Sequence, residues 1–161
     1  MTETTRRRLT AGELRIWRDY VETAEIVRAR LGSRLQSESS LSSGDYQVLL
    51  ALSEAPGRRL RSSELAASVG WERSRLSHHL GRMEGRGLIR REACAADSRG
   101  AEIVLSEEGA DAFRRGSVAH LRAIREMFLD AYDPEELAEI GALTTRLRDH
   151  LGLGSTDRAE A

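Results

Sequence analysis

Between Ser62 and Arg86 the apolar residues form two short helical stripes interrupted once, and the interruption limits the fold more than any other feature. Leu65 and Val69 carry the first stripe and Leu76, Leu80 and Met83 the second, at the three- and four-residue steps of an α-helix. Gly70 stands between them, and a glycine permits the tight turn that brings two helices together. Ala66 is small enough for a close crossing, and Gly87 follows in a C-cap position. The pattern predicts one helix from about Ser62 to Val69 and a second from near Glu72 to about Arg86. Leu88–Glu92 and Ala101–Leu105 then read as two strands. Between them Ala93–Gly100 holds Asp97, Ser98, Arg99 and Gly100, which favour a turn. The unit is a helix pair beside a hairpin.

Long helices flank this unit. From Gly12 to Leu35, the residues Leu14, Trp17, Val21, Ala24, Leu31 and Leu35 keep helical spacing over about six turns. That stripe exceeds what a small domain needs for its own core, so a partner helix is expected to cover it. Ser37–Ser43 reads as a polar loop. Ser42 and Asp45 form a capping box for a helix through Tyr46, Leu49 and Leu52, which Pro56 and Gly57 end. Ser106, Glu107 and Glu108 open another helix, with Phe113, Leu121, Ile124, Phe128 and Ala131 in register to about Tyr132. Asp133, Pro134 and Glu136 start the last one, striped by Leu137, Ile140, Leu143, Leu147 and Leu151. The expected fold class is mainly α with a small β-hairpin wing. Residues 12–35 plus 107–152 are expected to form a helical dimerisation region and residues 42–106 a winged helix-turn-helix. Residues 1–11 and 154–161 are expected to be flexible tails.

Composition narrows the class. A hydrophobic fraction of 40% with 32% charged residues in 161 suits a mostly helical globular chain and excludes a low-hydrophobicity disordered one. No run nears the roughly eighteen apolar residues of a membrane span, and the Arg6-Arg7-Arg8 start lacks the apolar stretch of a secretory signal. A cytoplasmic location is expected. The single cysteine, Cys94, allows no intramolecular disulfide. All 25 basic residues are Arg, and Lys and Asn are absent. A GC-rich genome explains that bias, so Arg content alone says nothing about nucleic acid. Position says more. The net charge is −1, yet residues 58–99 hold ten Arg against five acids, leaving the remainder acidic. A basic middle between acidic flanks is the footprint of one phosphate-facing surface.

On the second helix of the pair, Arg73, Ser74, Arg75, Ser77, His78, Arg82 and Arg86 lie off the apolar stripe. A major groove admits one helix, and Arg suits both guanine edges and phosphates. Arg75 and His78, from the first two turns, are candidates for base edges; Arg73, Ser74 and Arg82 suit phosphates. Arg99 at the hairpin tip would enter a narrow minor groove, and Asp97 could hold it by a charge-assisted hydrogen bond.

The order of elements, with SSELAASVG, SRLSHHLGRMEGRGLIRRE and DSRGAEIVLSEEG in succession, resembles the MarR family, the multiple-antibiotic-resistance regulators, over about residues 12–152. The specific parts are Met83 to Arg91 and the wing motif Asp97-Ser98-Arg99-Gly100 followed by Leu105 and Gly109. The resemblance implies a triangular homodimer with intertwined first and last helices, its recognition helices in major grooves and its wings in minor grooves of a pseudo-palindromic operator. It further implies a repressor of nearby genes that releases double-stranded DNA when a small, often phenolic, molecule binds. Arg99 matches the family's wing arginine and Asp97 its supporting acid. Two residues depart from the pattern: Arg61 stands where a capping Ser or Thr is usual, and His79 where an apolar residue is more common.

Other readings are weaker. His78 and His79 with Cys94 or Glu84 suggest a metal site, but neighbouring helical positions diverge by about 100°, so the expectation is a DNA-facing His78, a packed His79 and no metal. Cys94 is read as a small strand residue; an oxidation sensor there stays open, since Arg90 and Arg91 would lower its pKa. Trp17, Tyr20, Tyr46 and Trp71 are candidates for an effector pocket, against ordinary core packing for each. No phosphate loop, nucleophile elbow or pair of zinc-binding histidines on one helical face points to an enzyme. No cofactor is expected. A winged helix used only for protein contacts would not need Arg at both the helix face and the wing tip.

Overall fold

The computed structural model describes residues 8–93 and 101–153. Residues 94–100, with Cys94, Asp97 and Arg99 of the expected hairpin turn, and residues 1–7 and 154–161 of the expected tails lie outside that range. Helix α1 spans Ala11–Ser39, and Thr10 is its N-cap, in a reciprocal capping box with Glu13. Thr10 was expected in the flexible tail, but the paired bonds tie it to the helix. At the other end α1 continues past Leu35 through the expected loop. There the Ser39 hydroxyl donates to the Leu35 carbonyl at 2.6 Å, so the serine supports the last turn instead of ending it.

Helix α2, Ser43–Glu54, starts at the Ser42–Asp45 capping box. Strand β1, Arg59–Arg61, leads into α3, Ser62–Val69. The Arg61 side chain gives α3 no cap hydrogen bond. Glu64 supplies half a capping box instead, its carboxylate accepting the Arg61 N–H at 3.0 Å. Gly70 ends α3 with φ +67°, a left-handed backbone that costs a glycine little. Helix α4, Arg73–Gly85, follows after a short turn. Strands β2, Ile89–Ala93, and β3, Ala101–Leu105, form the hairpin.

The sheet has three antiparallel strands in the order β1-β3-β2, with Leu60 opposite Ile103 and Ile89 opposite Leu105. Pairing with β1 anchors the hairpin base to the residues preceding α3. Leu49 and Leu52 of α2, Leu65 of α3, Leu76, Leu80 and Met83 of α4, and Ile89 and Ile103 of the sheet are essentially fully buried in one core. Each stabilises by about 1.5–3 kcal/mol relative to exposure, so the core fixes the helix pair on the sheet.

Helix α5, Glu107–Met127, begins against the hairpin base. Ser106 donates through its N–H to the Leu88 carbonyl at 3.3 Å and through its hydroxyl to the Gly87 carbonyl at 2.6 Å. At Gly109 the contact is closer still: a Cβ there would lie 2.0 Å from the Leu88 carbonyl oxygen.

Residues from Ile124 onward form a second compact unit. In it α5 ends at Met127, earlier than the apolar spacing predicts, because Phe128 leaves helical geometry and sets its ring 5.4 Å from Tyr132. Helix α6, Pro134–His150, starts at the Asp133–Glu136 capping box and has no buried residue. No helix among the described residues is long and apolar enough to cross a membrane.

Candidate nucleic-acid interface

Helix α4 has two chemically distinct sides. Leu76, His79, Leu80 and Met83 are buried, whereas Arg73, Ser74, Arg75, Ser77, His78, Gly81 and Arg82 are exposed. Its one carboxylate, Glu84, is engaged by β2, accepting the Arg91 N–H at 3.1 Å and lying 3.4 Å from that residue's Nε. Arg91 also donates to the Ser77 carbonyl at 3.0 Å. The hairpin strand is thereby strapped to the exposed helix, with the helix acid turned to that purpose.

Three of the expected contact arginines have intramolecular partners. The Arg75 guanidinium carbon lies 4.4 Å above the centre of the Trp71 ring, a cation–π arrangement. Arg82 Nη2 is 2.9 Å from His79 Nδ1. Arg86, the C-cap of α4, places Nη1 2.7 Å from Asp45 Oδ2 and donates from Nη2 to the Ser40 carbonyl at 2.7 Å. Arg86 is thus a strut between the end of α4 and the start of α2, whereas Arg73, Ser74, Ser77 and His78 stay on the outer side.

Asp45, the other end of the strut, is buried. Burial pushes its carboxyl upward, but the hydrogen bond from Arg86, those from Ser42 and the Arg86 charge outweigh it, and the group stays below its ordinary range. His79 Nε2 lies 3.0 Å from Asp45 Oδ1, a close electrostatic contact. Burial depresses the His79 pKa, the Asp45 charge opposes that, and Arg82 and Arg75 add to the depression. His120 of α5, against the Tyr46 ring at 4.7 Å, is depressed by burial alone, its buried Nδ1 without a hydrogen-bond partner.

Both histidines therefore favour the neutral form when folded, so the unfolded chain binds more protons as pH falls below about 6.5. Stability contributed by neutral histidine is present above that pH and lost as pH drops through the lower folded values. Urea midpoints measured from about pH 7.5 to 5 should fall on the acid side. A midpoint that rises on acidification would contradict both assignments.

The four expected effector residues do not line one cavity. Trp17 and Tyr20 are exposed on α1, at 61% and 58%. Tyr46 packs on Phe113 and His120, and its hydroxyl is 3.2 Å from the Ser117 hydroxyl. Trp71 alone of the four lines a cleft of about 540 Å³, beside Arg28, Gly44, Arg75, His79 and Arg82. Aromatic spacing along the sequence carried no information about which helix faces these rings shared. Sequence reasoning also missed Asp45 as the partner of Arg86, because 41 residues separate them, and gave His120 no role.

A helix-turn-helix, a strapped hairpin and an outward cationic helix define a winged-helix DNA-binding protein, and comparison with known proteins places it. The MarR family model matches residues 39–100. The structure of AbsC, a MarR family transcriptional regulator from Streptomyces coelicolor, is 36% identical, covering 92% of this chain and 99% of its own, with a TM-score of 0.82. Sco3205, a MarR family transcriptional regulator from the same organism solved in complex with DNA, is 35% identical over 96% of each chain, also with a TM-score of 0.82. The fold is shared by the organohalide-sensing regulator RdhR-CbdbA1625 in its 2,4-dichlorophenol-bound form, at 22% identity and a TM-score of 0.76 over 98% of this chain and 94% of that one. The chain belongs to the MarR family, whose members are transcription regulators.

Proposed function

We propose that this protein is a homodimeric, sequence-specific repressor whose α4 enters the major groove of a pseudo-palindromic operator. The observation that carries the reading is the outer side of α4: Arg73, Ser74, Ser77 and His78 are exposed together, and the helix's one acid is taken by Arg91. Arg75 and Arg82 stand at the rim of that side, within reach of bases or phosphates. Arg86 is assigned to the strut with Asp45 and not to DNA. Arg99, supported by Asp97, is assigned to the minor groove.

The dimer reading rests on uncovered apolar surface. Of the 29 residues of α1 only Leu35 is buried, while Ile16, Trp17, Tyr20 and Ile26 are more than half exposed. Helix α6 exposes Leu143 and Leu147, and its C-cap Leu151 is exposed as well. Surfaces of this kind mark association sites, and two-fold symmetry suits paired half-sites. Residues 12–35 and 107–152 would supply the dimer contacts and residues 42–106 the DNA contacts. A small phenolic molecule is proposed as the releasing ligand; the 2,4-dichlorophenol form of a regulator with this fold is the precedent.

The test is an electrophoretic shift with DNA from upstream of the protein's own gene, alongside light scattering. The expected results are a retarded band that weakens with salt and a mass twice 17.9 kDa. No shift at low salt would overturn the DNA reading, and a monomer at micromolar concentration the dimer.

A further inference from the structure

Arg82 is held in place by the ring one turn before it. Its Nη2 lies 2.9 Å from His79 Nδ1, and a guanidinium can donate but not accept. Nδ1 therefore carries the lone pair, and the neutral imidazole keeps its proton on Nε2, which is 3.0 Å from Asp45 Oδ1. The Arg82 contact alone sets this tautomer; Asp45 lies close to Nε2 without hydrogen-bond geometry, and its negative charge favours the proton on that side.

The ring is confined as well. Trp71 meets it at 5.1 Å with the planes at 90°. On the α2 side a Cβ added at Gly44 would come 3.0 Å from His79 Cε1 and 2.8 Å from Trp71 Cη2, so the glycine lets the backbone close on both rings. The charged groups around His79 are Asp45 from α2 and Arg75, Arg82 and Arg86 from α4, with Arg28 of α1 lining the same cleft. Packing alone would be served as well by Leu or Met at this position. Leu could accept no hydrogen bond from Arg82, and the thioether of Met only a weak one.

We propose that His79 is a positioning residue for operator recognition: in its Nε2–H form it fixes the Arg82 guanidinium at the rim of the outer side of α4, ready for DNA. The inference rests on the DNA-binding reading. A second proton on the ring would go to Nδ1, the atom Arg82 occupies, and would put a fourth cation beside Arg75, Arg82 and Arg86. Arg82 then loses its anchor, and selectivity for the operator falls.

Two substitutions divide the ring's functions. His79→Asn places a carbonyl oxygen near the position of Nδ1 and keeps an acceptor for Arg82. His79→Gln reaches the position of Nε2, serves Asp45 and leaves Arg82 without an acceptor. The readout is the ratio of affinity for a selected operator to that for an unrelated duplex of equal length, at fixed salt, at about pH 7.5 and about pH 5. Where acidification protonates the ring, the unaltered protein should lose about tenfold in this ratio, the equivalent of one charge-assisted hydrogen bond. H79N, which keeps an acceptor for Arg82, should hold its ratio at both values. H79Q and the surface variant R82A should be low at both, and combining them should cost nothing further. An equal fall in H79N and H79Q overturns the assignment of His79. Failure of the unaltered protein to prefer any duplex overturns the DNA-binding reading itself.

Discussion

Gly109→Ala is expected to lower stability by about 3 kcal/mol or more, well above a typical surface change. The new Cβ would lie 2.0 Å from the Leu88 carbonyl oxygen, 2.9 Å from its carbon and 3.0 Å from Leu105 Cδ1. Two of those atoms are backbone, and the oxygen already accepts from the Ser106 N–H. Relief therefore requires α5 to lift from the hairpin base or β2 to shift against β3. For a chain of this length the melting temperature should fall by roughly 6–12 °C. A fall of less than a degree would show that the junction is not close-packed as described. Gly81→Ala is the useful contrast, because nothing lies within 4 Å of a Cβ there. An exposed helical glycine costs about 0.5–1 kcal/mol relative to alanine, so G81A should melt higher while weakening operator binding, if the α4 backbone approaches the groove closely at that point. Higher stability with unchanged affinity would put the groove elsewhere.

The second large effect is on binding. Arg73→Ala with Arg75→Ala should lower operator affinity by about a hundredfold or more, since a well-placed base or phosphate contact contributes about 1–3 kcal/mol. Arg73 is exposed without a partner in the strap or the strut, and Arg75 is pre-ordered on Trp71. The fold should be spared, because neither residue contributes to the buried side of α4. Fluorescence anisotropy with a selected operator at fixed salt measures the change, and the salt slope should shrink as phosphate contacts are lost. An unchanged affinity would remove α4 from the interface. Arg86→Ala should behave differently. It removes the cationic partner of the buried Asp45 carboxylate, which keeps the Ser42 N–H, so it should act on stability before it acts on DNA.

Much of the fold was legible because it is written in local chemistry. Gly70 at the helix junction, Ser42 with Asp45, and Asp133 with Glu136 each specify a backbone event within four residues, and each forms. Strand β3 follows its apolar run from Ala101 to Leu105. Features that depend on distant partners were not legible. Strand β1 is a three-residue Arg-Leu-Arg segment, too short for an alternation signal, and it exists because β3 pairs with it some forty residues later. The break at Phe128 interrupts an apolar spacing that continues through it. At the candidate interface the outer residues of α4 could be read from helical geometry. Their intramolecular partners could not, because Asp45, Trp71 and the Arg86 strut meet only once α2 and α4 have packed. His79 was noticed as a departure from an apolar position; its contact with Arg82 gives that departure a physical use.

The most direct measurement is methylation interference on an operator selected from the source genome. Methylating guanine N7 blocks major-groove hydrogen bonding without altering the minor groove or the phosphates. Insertion of α4 predicts two symmetric clusters of guanines, about one helical turn or a multiple apart, at which methylation abolishes binding by the unaltered protein. Tight, selective binding that tolerates N7 methylation at every guanine of the site would contradict the account.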